Sequence, residues 1–301
     1  MNDNVNWPTF FIVGAVKCGT TSLYEHLKKH PQVFLPEVKE PHFFASFQPP
    51  PVEDLGEHCN GDIEHYRRLY RGAQGSLAIG DASPSYLWDE AAPRRIYEVC
   101  PRARIIIMLR DPIARAHSHF LMDAARLGNS NFGEAVRQDY SNPQKGWWVS
   151  HLYVELGLYH DQVRRYLEIF GKEQVYVGLF KDLVENPRAL LSKLSLHIGI
   201  DEKPFDAMTL DQPHNPFRMP RSVLAYKIAK KILPTAKLRR RMLPERVREW
   251  LATSGVLYAK ARPSLDDEAR SFLQRIYEPE VARLEELLKR RLPELRESWL
   301  K

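Results

Sequence analysis

Continuous runs of apolar residues constrain the fold of this chain more than any other feature. The clearest run lies within Arg104–Leu109, where five apolar residues follow one another, and Phe10–Gly14 and Val175–Leu179 have the same character. Such runs are typical of parallel strands covered on both faces, whereas strands with one wet face alternate polar and apolar residues. Helical stretches separate the runs. The pattern therefore predicts an α/β fold with a central parallel sheet and helices on both faces.

Local signals predict the elements between these strands. Pro112 favours the first turn of a helix, and Asp111 is placed to cap that helix. The other predicted elements are a helix over residues 20–29, a strand over 77–80, a helix near 89–99 and a helix over 187–198.

The region after residue 200 has a different composition. Seven prolines and many basic residues interrupt residues 201–263, and no new strand is predicted there. Ser264 and Asp267 resemble a capping box that opens a helix to Tyr277. Pro279 is expected to start or kink the last helix. We expect one domain over residues 1–301, with a core of about 8–200, a basic helical insertion or lid of about 201–259, and a C-terminal loop with helices over 260–301.

Composition and charge narrow the class of protein. The 301 residues include 44 Lys+Arg and 38 Asp+Glu, for a net charge of +6. No apolar run approaches the roughly 20 residues that span a bilayer, and the N-terminus lacks the pattern of a signal peptide. The three cysteines form an odd set without a metal-ligand spacing. These features lead us to expect a cytoplasmic protein in a reducing compartment.

The positive charge is concentrated in residues 218–248. A solvated helix face and an anion-binding surface both explain such a stretch. Weak contact with a membrane surface is one use of it. Nucleic-acid binding is not expected, because the stretch lacks the interleaved aromatic residues of single-strand binders.

A candidate phosphate loop joins the first predicted strand to the first predicted helix. It contains Lys17, Cys18, Gly19, Thr20, Thr21 and Ser22. A glycine turn exposes successive backbone N–H groups, and the helix N-terminus adds the positive end of its dipole, so together they bind phosphate. Lys17 supplies a mobile cation. The thiol of Cys18 lies beside this lysine and the helix N-terminus, a setting in which the pKa of a thiol falls.

A second candidate anion site follows the strand Arg104–Leu109. Arg110 lies at the carboxyl end of this strand and Ser118 lies two helical turns later, so both can face the crevice where open α/β sheets bind ligands. A planar guanidinium donates two charge-assisted hydrogen bonds to a phosphate. Two separated anion sites favour a ligand with two separated phosphates.

The first loop differs from the loop of ATP- and GTP-binding P-loop proteins, in which the lysine directly follows the second glycine. Here Thr20 follows Gly19, and Lys17 precedes that glycine by two residues. Asp81 and Asp111 are the acidic residues near strand ends that could hold magnesium. A P-loop nucleotide kinase or hydrolase is the alternative function, and a non-enzymatic anion-binding protein is a third.

These motifs resemble those of the PAPS-dependent sulfotransferases, and most strongly those of the heparan sulfate and bacterial branch. The resemblance rests on residues 17–23, 30–33 and 39–44, together with Arg110 and Ser118. It implies the P-loop-like sulfotransferase fold with a helical C-terminal elaboration. It also implies PAPS (3′-phosphoadenosine 5′-phosphosulfate) as co-substrate, PAP as product, no metal, and in-line transfer of a sulfuryl group to an acceptor hydroxyl.

The resemblance implies roles for individual residues. Lys17 would stabilise the leaving group, and Arg110 and Ser118 would hold the 3′-phosphate. Glu40 matches the general base of the family, while His42 is a competing base or orients Glu40. The implied nucleotide-binding set also includes Cys18, Gly19, Thr20, Thr21, Ser22, Lys260 and Arg262. Between the last two residues, Ala261 replaces a glycine of the family.

One departure from the family pattern concerns the acceptor side. Ala82 stands where heparan sulfate enzymes have a lysine near the sulfuryl group. Either Lys39 supplies that charge, or the acceptor is not a sulfated polysaccharide. Saccharide, lipid, small-metabolite and carrier-bound hydroxyls all stay open as acceptors.

Overall fold

Five parallel strands form the central sheet of the protein. The computed structural model describes residues 6–47, 59, 61–127, 131–208, 219–220, 258–259 and 265–299. The strands are β1 (Phe10–Gly14), β2 (Val33–Phe34), β3 (Ala78–Ala82), β4 (Arg104–Leu109) and β5 (Val175–Leu179). Their order across the sheet is β2-β3-β1-β4-β5, and every neighbouring pair is parallel. The predicted parallel α/β architecture is confirmed.

Helices connect the strands on both faces of the sheet. The described α-helices are α1 (Thr20–Lys28), α2 (Ile63–Leu69), α3 (Ala92–Val99), α4 (Pro112–Leu127), α5 (Phe132–Ser141), α6 (Tyr159–Phe170), α7 (Phe180–Glu185), α8 (Pro187–Ile198) and α9 (Asp267–Leu288). The connection from β1 through α1 runs toward one edge of the sheet, and the connection from β3 through α3 runs toward the other. Because such crossovers are right-handed, these two connections place their helices on opposite faces.

The two central strands are the most deeply buried part of the sheet. Every residue of β1 is buried, and the five residues from Ile105 to Leu109 in β4 are each 0% exposed. A strand between two neighbours with helices on both faces has no polar side to present, which explains why these segments read as continuous apolar runs. The hydrophobic effect over this layer holds the carboxyl ends of β1 and β4 in place.

The register between β1 and β4 sets the level at which their following loops begin. Gly14 pairs with Ile107, and the backbone N–H of Ala15 donates to the carbonyl of Met108 at 2.7 Å. Lys17 and Arg110 each lie three residues beyond the Gly14–Ile107 pair. The loops that contain the two predicted anion sites therefore emerge side by side at one edge of the sheet.

The predicted elements agree closely with the structure in the first 200 residues. The bounds of β1, β4, β5 and α8 are as predicted, and α1 ends one residue early. The strand predicted over 77–80 is instead Ala78–Ala82, because the Leu77 side chain is 62% exposed and lies outside the sheet. The two-residue strand β2 is too short to carry a periodic signal and was not predicted.

Two expectations for the C-terminal region are wrong. A short antiparallel pair, β6 (Met219–Pro220) with β7 (Tyr258–Ala259), lies where no strand was expected. Strands of two residues that pair across a long sequence separation leave no local pattern to detect. In addition, α9 continues through Pro279 to Leu288 rather than ending near Tyr277. Buried residues on both sides of the proline, including Tyr277 and Val281, hold the helix together across the lost hydrogen bond.

Asp111 caps α4, as its position predicted, and also anchors the C-terminal segment. Its carboxylate accepts hydrogen bonds from the backbone N–H groups of Ile113 at 2.9 Å and Ala114 at 3.0 Å. It also accepts from the backbone N–H of Ser298 at 2.8 Å and from its hydroxyl at 2.7 Å. One buried carboxylate therefore ties the helix after β4 to the last described residues.

We expect Asp111→Ala to lower the free energy of unfolding by about 3 kcal/mol, because a helix cap and buried hydrogen bonds to Ser298 are both lost. Urea unfolding measures this change. Asp62→Ala is the matched control, since Asp62 caps α2 through the N–H of His65 from an exposed position and should cost only about 1 kcal/mol. Equal losses in the two variants would contradict the anchoring role of Asp111.

Candidate functional site

The loop between β1 and α1 has the geometry of an anion-binding turn. Gly19 precedes α1 with a φ of +85°, and a Cβ there would lie 2.7 Å from Leu183 and 2.8 Å from Phe180. Both the backbone conformation and the space therefore require glycine. The N–H of Leu23 bonds the Gly19 carbonyl at 3.0 Å, so the earlier N–H groups of the first turn have no helical acceptor. These groups are available to an anion.

Lys17 lies in the same loop, with a left-handed φ of +67°. Its Nζ lies 3.7 Å from the sulfur of Met122 on α4. Burial lowers the pKa of Lys17, and Arg110 and Arg115 add to that effect, while Asp123 opposes it. The loop thus holds a partly buried ammonium group near two guanidinium groups.

Cys18 fills the interior of this loop. Its thiol is buried, lies 3.7 Å from the Tyr159 hydroxyl, and has a pKa raised by burial. The expectation of a lowered thiol pKa is wrong, because removal from water outweighs the nearby positive charge. Tyr159 in turn donates to the carbonyl of Arg110 at 2.9 Å. This tyrosine packs in the core and connects the two loops.

Arg110 lies beside the phosphate loop, as the strand register requires. Its Nη1 donates to the carbonyl of Lys17 at 3.4 Å, and its guanidinium stacks over the Phe180 ring at 4.6 Å. Ser118 lies two turns into α4 and is half-buried. The structure thus brings together residues 17–22 and Arg110 at the carboxyl ends of β1 and β4.

Glu40 and His42 lie in the segment that follows β2. Glu40 forms an ion pair with Lys39, and its other carboxylate oxygen lies 3.9 Å from Nε2 of His42. The Glu40 side chain is 38% exposed, whereas that of His42 is 3% exposed. Nδ1 of His42 lies 2.6 Å from the hydroxyl of Ser85. Glu40 therefore faces the open side, with His42 behind it.

A buried carboxylate at the end of β3 supports this segment. Asp81 accepts hydrogen bonds from the hydroxyls of Ser83 at 2.7 Å, Tyr66 at 2.8 Å and Tyr86 at 3.1 Å. Ser83 also accepts the backbone N–H of His42 at 3.4 Å. Burial raises the pKa of Asp81 to about 6, against the opposing effect of these hydrogen bonds. The neighbouring Ala82 is buried in the strand.

Left-handed backbone conformations concentrate around the site. Among the described residues, those other than glycine with a positive φ are Lys17, Glu40, His42, Trp148, Leu152 and Lys289. Each such residue costs on the order of 1 kcal/mol or more, so it persists only where surrounding contacts enforce it. All three predicted catalytic residues belong to this set.

An aromatic cluster borders Glu40 and His42. The rings of Phe47 and Trp147 stack with centroids 5.4 Å apart and an angle of 13°. The His42 ring lies 5.6 Å from Phe47 and 6.2 Å from Trp147. The ring centroid of Trp88 lies 6.2 Å from that of Trp147. No local sequence pattern marks this cluster, because its members come from three distant segments.

A second cluster, around Asp123, also joins residues from distant segments of the chain. Asp123 on α4 accepts the Tyr153 hydroxyl at 3.0 Å and lies 2.9 Å from Nδ1 of His151 and 3.8 Å from Nε2 of His119. Within this cluster, the one contact that the sequence could indicate is that between His119 and Asp123, which lie four residues apart on the same helix.

Some predicted residues lie outside the described part of the chain. These are Lys260, Arg262 and the basic stretch 218–248 apart from residues 219–220. Within the described residues, no group of three His, Cys, Asp or Glu side chains is arranged to hold a metal ion. The described helices also include none with the length and apolar character needed to cross a membrane.

Comparison with known proteins extends these observations. The sulfotransferase domain model matches residues 8–286. Human carbohydrate sulfotransferase 15 is 27% identical over 270 residues, covering 71% of this chain and 48% of that protein. Heparan sulfate glucosamine 3-O-sulfotransferase 6 of Mus musculus is 27% identical over 197 residues, covering 64% of this chain and 53% of that protein. The chain thus spans about half the length of these curated relatives.

A solved structure covers almost the whole chain. The sulfotransferase from Alicyclobacillus acidocaldarius is 29% identical, covers 99% of this chain and 100% of its own, and superposes with a TM-score of 0.71. The predicted P-loop-like sulfotransferase fold is therefore confirmed.

The expected cytoplasmic location is wrong. The relatives that match this chain include the membrane-associated sulfotransferase kil1 of Dictyostelium discoideum, which is 32% identical over 113 residues, covering 38% of this chain and 22% of that protein. Charge, cysteine content and the absence of an apolar run are properties of the catalytic fold, and they do not report where such a fold is located.

Two loops with the predicted anion-site residues meet at the carboxyl ends of neighbouring parallel strands. The matched family domain over residues 8–286 and the superposable solved relative point to the same family. The PAPS co-substrate is a general property of that family. The chain belongs to the sulfotransferase family.

Proposed function

We propose that this protein transfers a sulfuryl group from PAPS to an acceptor hydroxyl. The observation that carries the proposal is the contact between the two anion-binding loops, in which Arg110 donates to the carbonyl of Lys17 at 3.4 Å. Two sets of anion donors in adjacent loops suit a ligand that carries two separated anionic groups. PAPS has a 5′-phosphosulfate and a 3′-phosphate, and it therefore fits the donor groups present.

The hydrogen-bond donors and cations of the two loops define the proposed roles of individual residues in binding PAPS. The N–H groups and hydroxyls of Thr20, Thr21 and Ser22 would hold the 5′-phosphosulfate at the start of α1. Lys17 would stabilise negative charge on the departing phosphate oxygen. Arg110 and Ser118 would hold the 3′-phosphate. Lys260 and Arg262, outside the described residues, stay candidates for closing over the nucleotide.

Glu40 is the proposed general base. Its carboxylate is on the open side of the site, whereas His42 is buried behind it with Nδ1 held by Ser85. A base must come within hydrogen-bond reach of the acceptor hydroxyl, so the exposed group is better placed than the buried one. His42 then orients Glu40 through Nε2, the ring nitrogen that faces the carboxylate.

The structure gives less support to a magnesium-dependent P-loop enzyme. The two acidic residues suited by sequence to hold magnesium are Asp81 and Asp111. Asp81 accepts three side-chain hydroxyl groups, and Asp111 caps α4 and binds Ser298. Both carboxylates already serve structural hydrogen bonds, so neither is free to coordinate a nucleotide-bound cation.

We propose that the acceptor group is a hydroxyl of a carbohydrate. Two matched relatives are named for carbohydrate and heparan sulfate glucosamine substrates. The aromatic cluster of Phe47, Trp88 and Trp147 adjoins His42 and so borders the path to Glu40. Aromatic faces bind the apolar faces of sugar rings, while the hydroxyl at the ring edge is left for the base.

The donor site is tested by calorimetric titration with PAP, 5′-AMP and ATP–Mg. We expect PAP to bind more tightly than AMP, and Arg110→Ala to weaken PAP binding by about 10- to 100-fold with a smaller effect on AMP. Arg104→Ala is the control, because Arg104 lies at the opposite end of β4 and donates to the Glu173 carbonyl. Equal affinity for AMP and PAP, or preference for ATP–Mg, would overturn the proposed function.

The base is tested by sulfate transfer from labelled PAPS to heparan sulfate oligosaccharides. We expect Glu40→Gln to lower kcat by about 100-fold or more while PAP affinity is kept, because proton abstraction is lost and the donor site is intact. Glu37→Gln is the control, since Glu37 lies in the same segment and pairs with Lys28 from an exposed position. An active Glu40→Gln with an inactive His42→Gln would identify His42 as the base instead.

The aromatic cluster is tested by acceptor kinetics with an oligosaccharide, a long-chain alcohol and a phenol. We expect Trp147→Ala to raise the KM for the oligosaccharide by about tenfold with PAP affinity unchanged, because an aromatic contact is lost on the acceptor side alone. Tyr97→Ala, an exposed aromatic on α3, should leave every KM unaltered. Transfer to the alcohol or phenol in preference to the oligosaccharide would rule out the carbohydrate proposal.

A further inference from the structure

The segment that contains the proposed base packs against the residues that follow β3. Ser83 and a single 3-10 turn, Pro84–Leu87, come directly after that strand. Ser83 accepts the backbone N–H of His42 at 3.4 Å, and the hydroxyl of Tyr86 accepts that of Phe44 at 3.3 Å. The backbone on which the His42 ring is mounted is therefore held by this turn.

Ser85, within the same turn, holds the ring itself. It is 0% exposed, and its Oγ lies 2.6 Å from Nδ1 of His42. The other ring nitrogen, Nε2, lies 3.9 Å from Oε2 of Glu40, whose second oxygen pairs with Lys39. The buried imidazole thus lies between a buried hydroxyl and the proposed base.

The hydrogen bond between Ser85 and His42 has two possible directions, and each gives a different ring. If Nδ1 carries a hydrogen, it donates to Oγ, and the hydrogen of the hydroxyl then needs an acceptor of its own. Within the part of the chain that the structure describes, the Ser85 hydroxyl contacts no acceptor other than Nδ1. A buried O–H group without an acceptor is unfavourable, because it has lost its bond to water. The hydroxyl therefore donates, and Nδ1 accepts.

This direction determines which nitrogen carries the hydrogen of the neutral ring. An imidazole that accepts at Nδ1 has its one N–H at Nε2. That N–H faces the Glu40 carboxylate, and its partial positive charge favours the ionised form, which is the form that accepts a proton. The opposite tautomer would place the lone pair of Nε2 against the carboxylate, and the two would repel each other.

We propose that Ser85 is a positioning residue for the reaction: it fixes the hydrogen of the neutral His42 ring on Nε2, and the ring then holds the Glu40 carboxylate in place as the base. The role of Glu40 rests on the proposed function, whereas the tautomer of His42 does not. Ser85 is fully buried and acts only through His42.

The assignment also separates the roles of the two candidate bases. A neutral imidazole has one lone pair that can take a proton, and the Ser85 hydroxyl occupies that lone pair at Nδ1. In this state His42 donates toward Glu40 and cannot accept there. Of the two residues, Glu40 is the one that has lone pairs to take the proton of the acceptor hydroxyl.

The tautomer is measured directly by NMR of the ring nitrogens in histidine-labelled protein, with the His42 signals assigned through His42→Gln. Near pH 7 we expect Nε2 to carry the hydrogen and Nδ1 to have the chemical shift of an acceptor nitrogen. A hydrogen on Nδ1 of the wild-type ring, either alone or together with one on Nε2, overturns the proposal.

Two substitutions of Ser85 test the cause. Ser85→Ala removes the donor, so we expect Nδ1 of His42 to gain hydrogen and the two tautomers to coexist. Ser85→Thr keeps the hydroxyl and should restore the single tautomer. Ser195→Ala is the matched control, because Ser195 is a buried serine of α8 whose hydroxyl has no partner among the described residues. It should leave the His42 signals in place. An unchanged tautomer in folded Ser85→Ala contradicts the role of Ser85.

Transfer kinetics provide a second readout, with labelled PAPS and whichever acceptor the wild type uses among the oligosaccharide, the alcohol and the phenol. We expect Ser85→Ala to lower kcat by about tenfold while PAP affinity is kept, because a hydrogen bond that positions the base is lost and the nucleotide loops are intact. Ser85→Thr should recover most of the rate, and Ser195→Ala should keep all of it.

These measurements distinguish failure of the positioning role from failure of the proposed function. If the wild type binds no PAP and transfers no sulfate, the proposed function fails, and the NMR result alone decides the tautomer of His42. If the wild type is active and Ser85→Ala keeps the wild-type kcat, the positioning role of Ser85 fails while the proposed function stands.

Discussion

The pairing of β1 with β4 is the constraint on which the site depends. All of β1 and the five residues of β4 after Arg104 are buried, and the register of the two strands brings Lys17 and Arg110 to the same level beyond the sheet. Tyr159 reinforces the arrangement, since its hydroxyl contacts the Cys18 thiol in one loop and the Arg110 carbonyl in the other. A slip of one residue in this register would separate the two proposed anion sites and leave each as an ordinary strand–helix turn.

Concentrating positive charge at this edge has an electrostatic cost that the surrounding structure offsets. Burial lowers the pKa of Lys17, and the nearby charges of Arg110 and Arg115 lower it further. Left-handed backbone at Lys17 and Glu40 adds conformational strain. The charges of Asp123 and Glu40 oppose the fall in the pKa of Lys17. Two buried carboxylates hold the surrounding segments: Asp111 fastens the helix after β4, and Asp81 fastens the segment that contains Glu40. The site is therefore supported by groups that do not contact a substrate.

A structural feature of this protein can be predicted from the sequence where a short stretch of residues contains its signal. The strands β1, β4 and β5 are continuous apolar runs, and Asp111 before Pro112 is a local capping signal, so both were predicted with correct bounds. The loop at Lys17 is a compact motif and was found for the same reason. In contrast, the contacts of Asp123 with His151 and Tyr153 join residues about 30 positions apart, and only the folded chain brings them together. The two-residue strands of the C-terminal region and the uninterrupted α9 likewise depend on tertiary pairing that no short window contains.

The two halves of the site differ in how they are anchored, and this difference bears on specificity. The proposed PAPS-binding half begins directly at the ends of β1 and β4, so it inherits the rigidity of the central sheet. The proposed acceptor half, with Glu40, His42 and Trp147, lies in connecting segments whose shape depends on side-chain contacts such as that of His42 with Ser85. Changes in those segments alter what reaches the base without disturbing the nucleotide loops. Ala82 fits this division, because a buried small residue in β3 leaves Lys39, already paired with Glu40, as the cation beside the proposed base. A chain of this design can keep one donor chemistry while its acceptor changes, because the nucleotide loops and the segments around the proposed base are separate parts of the structure.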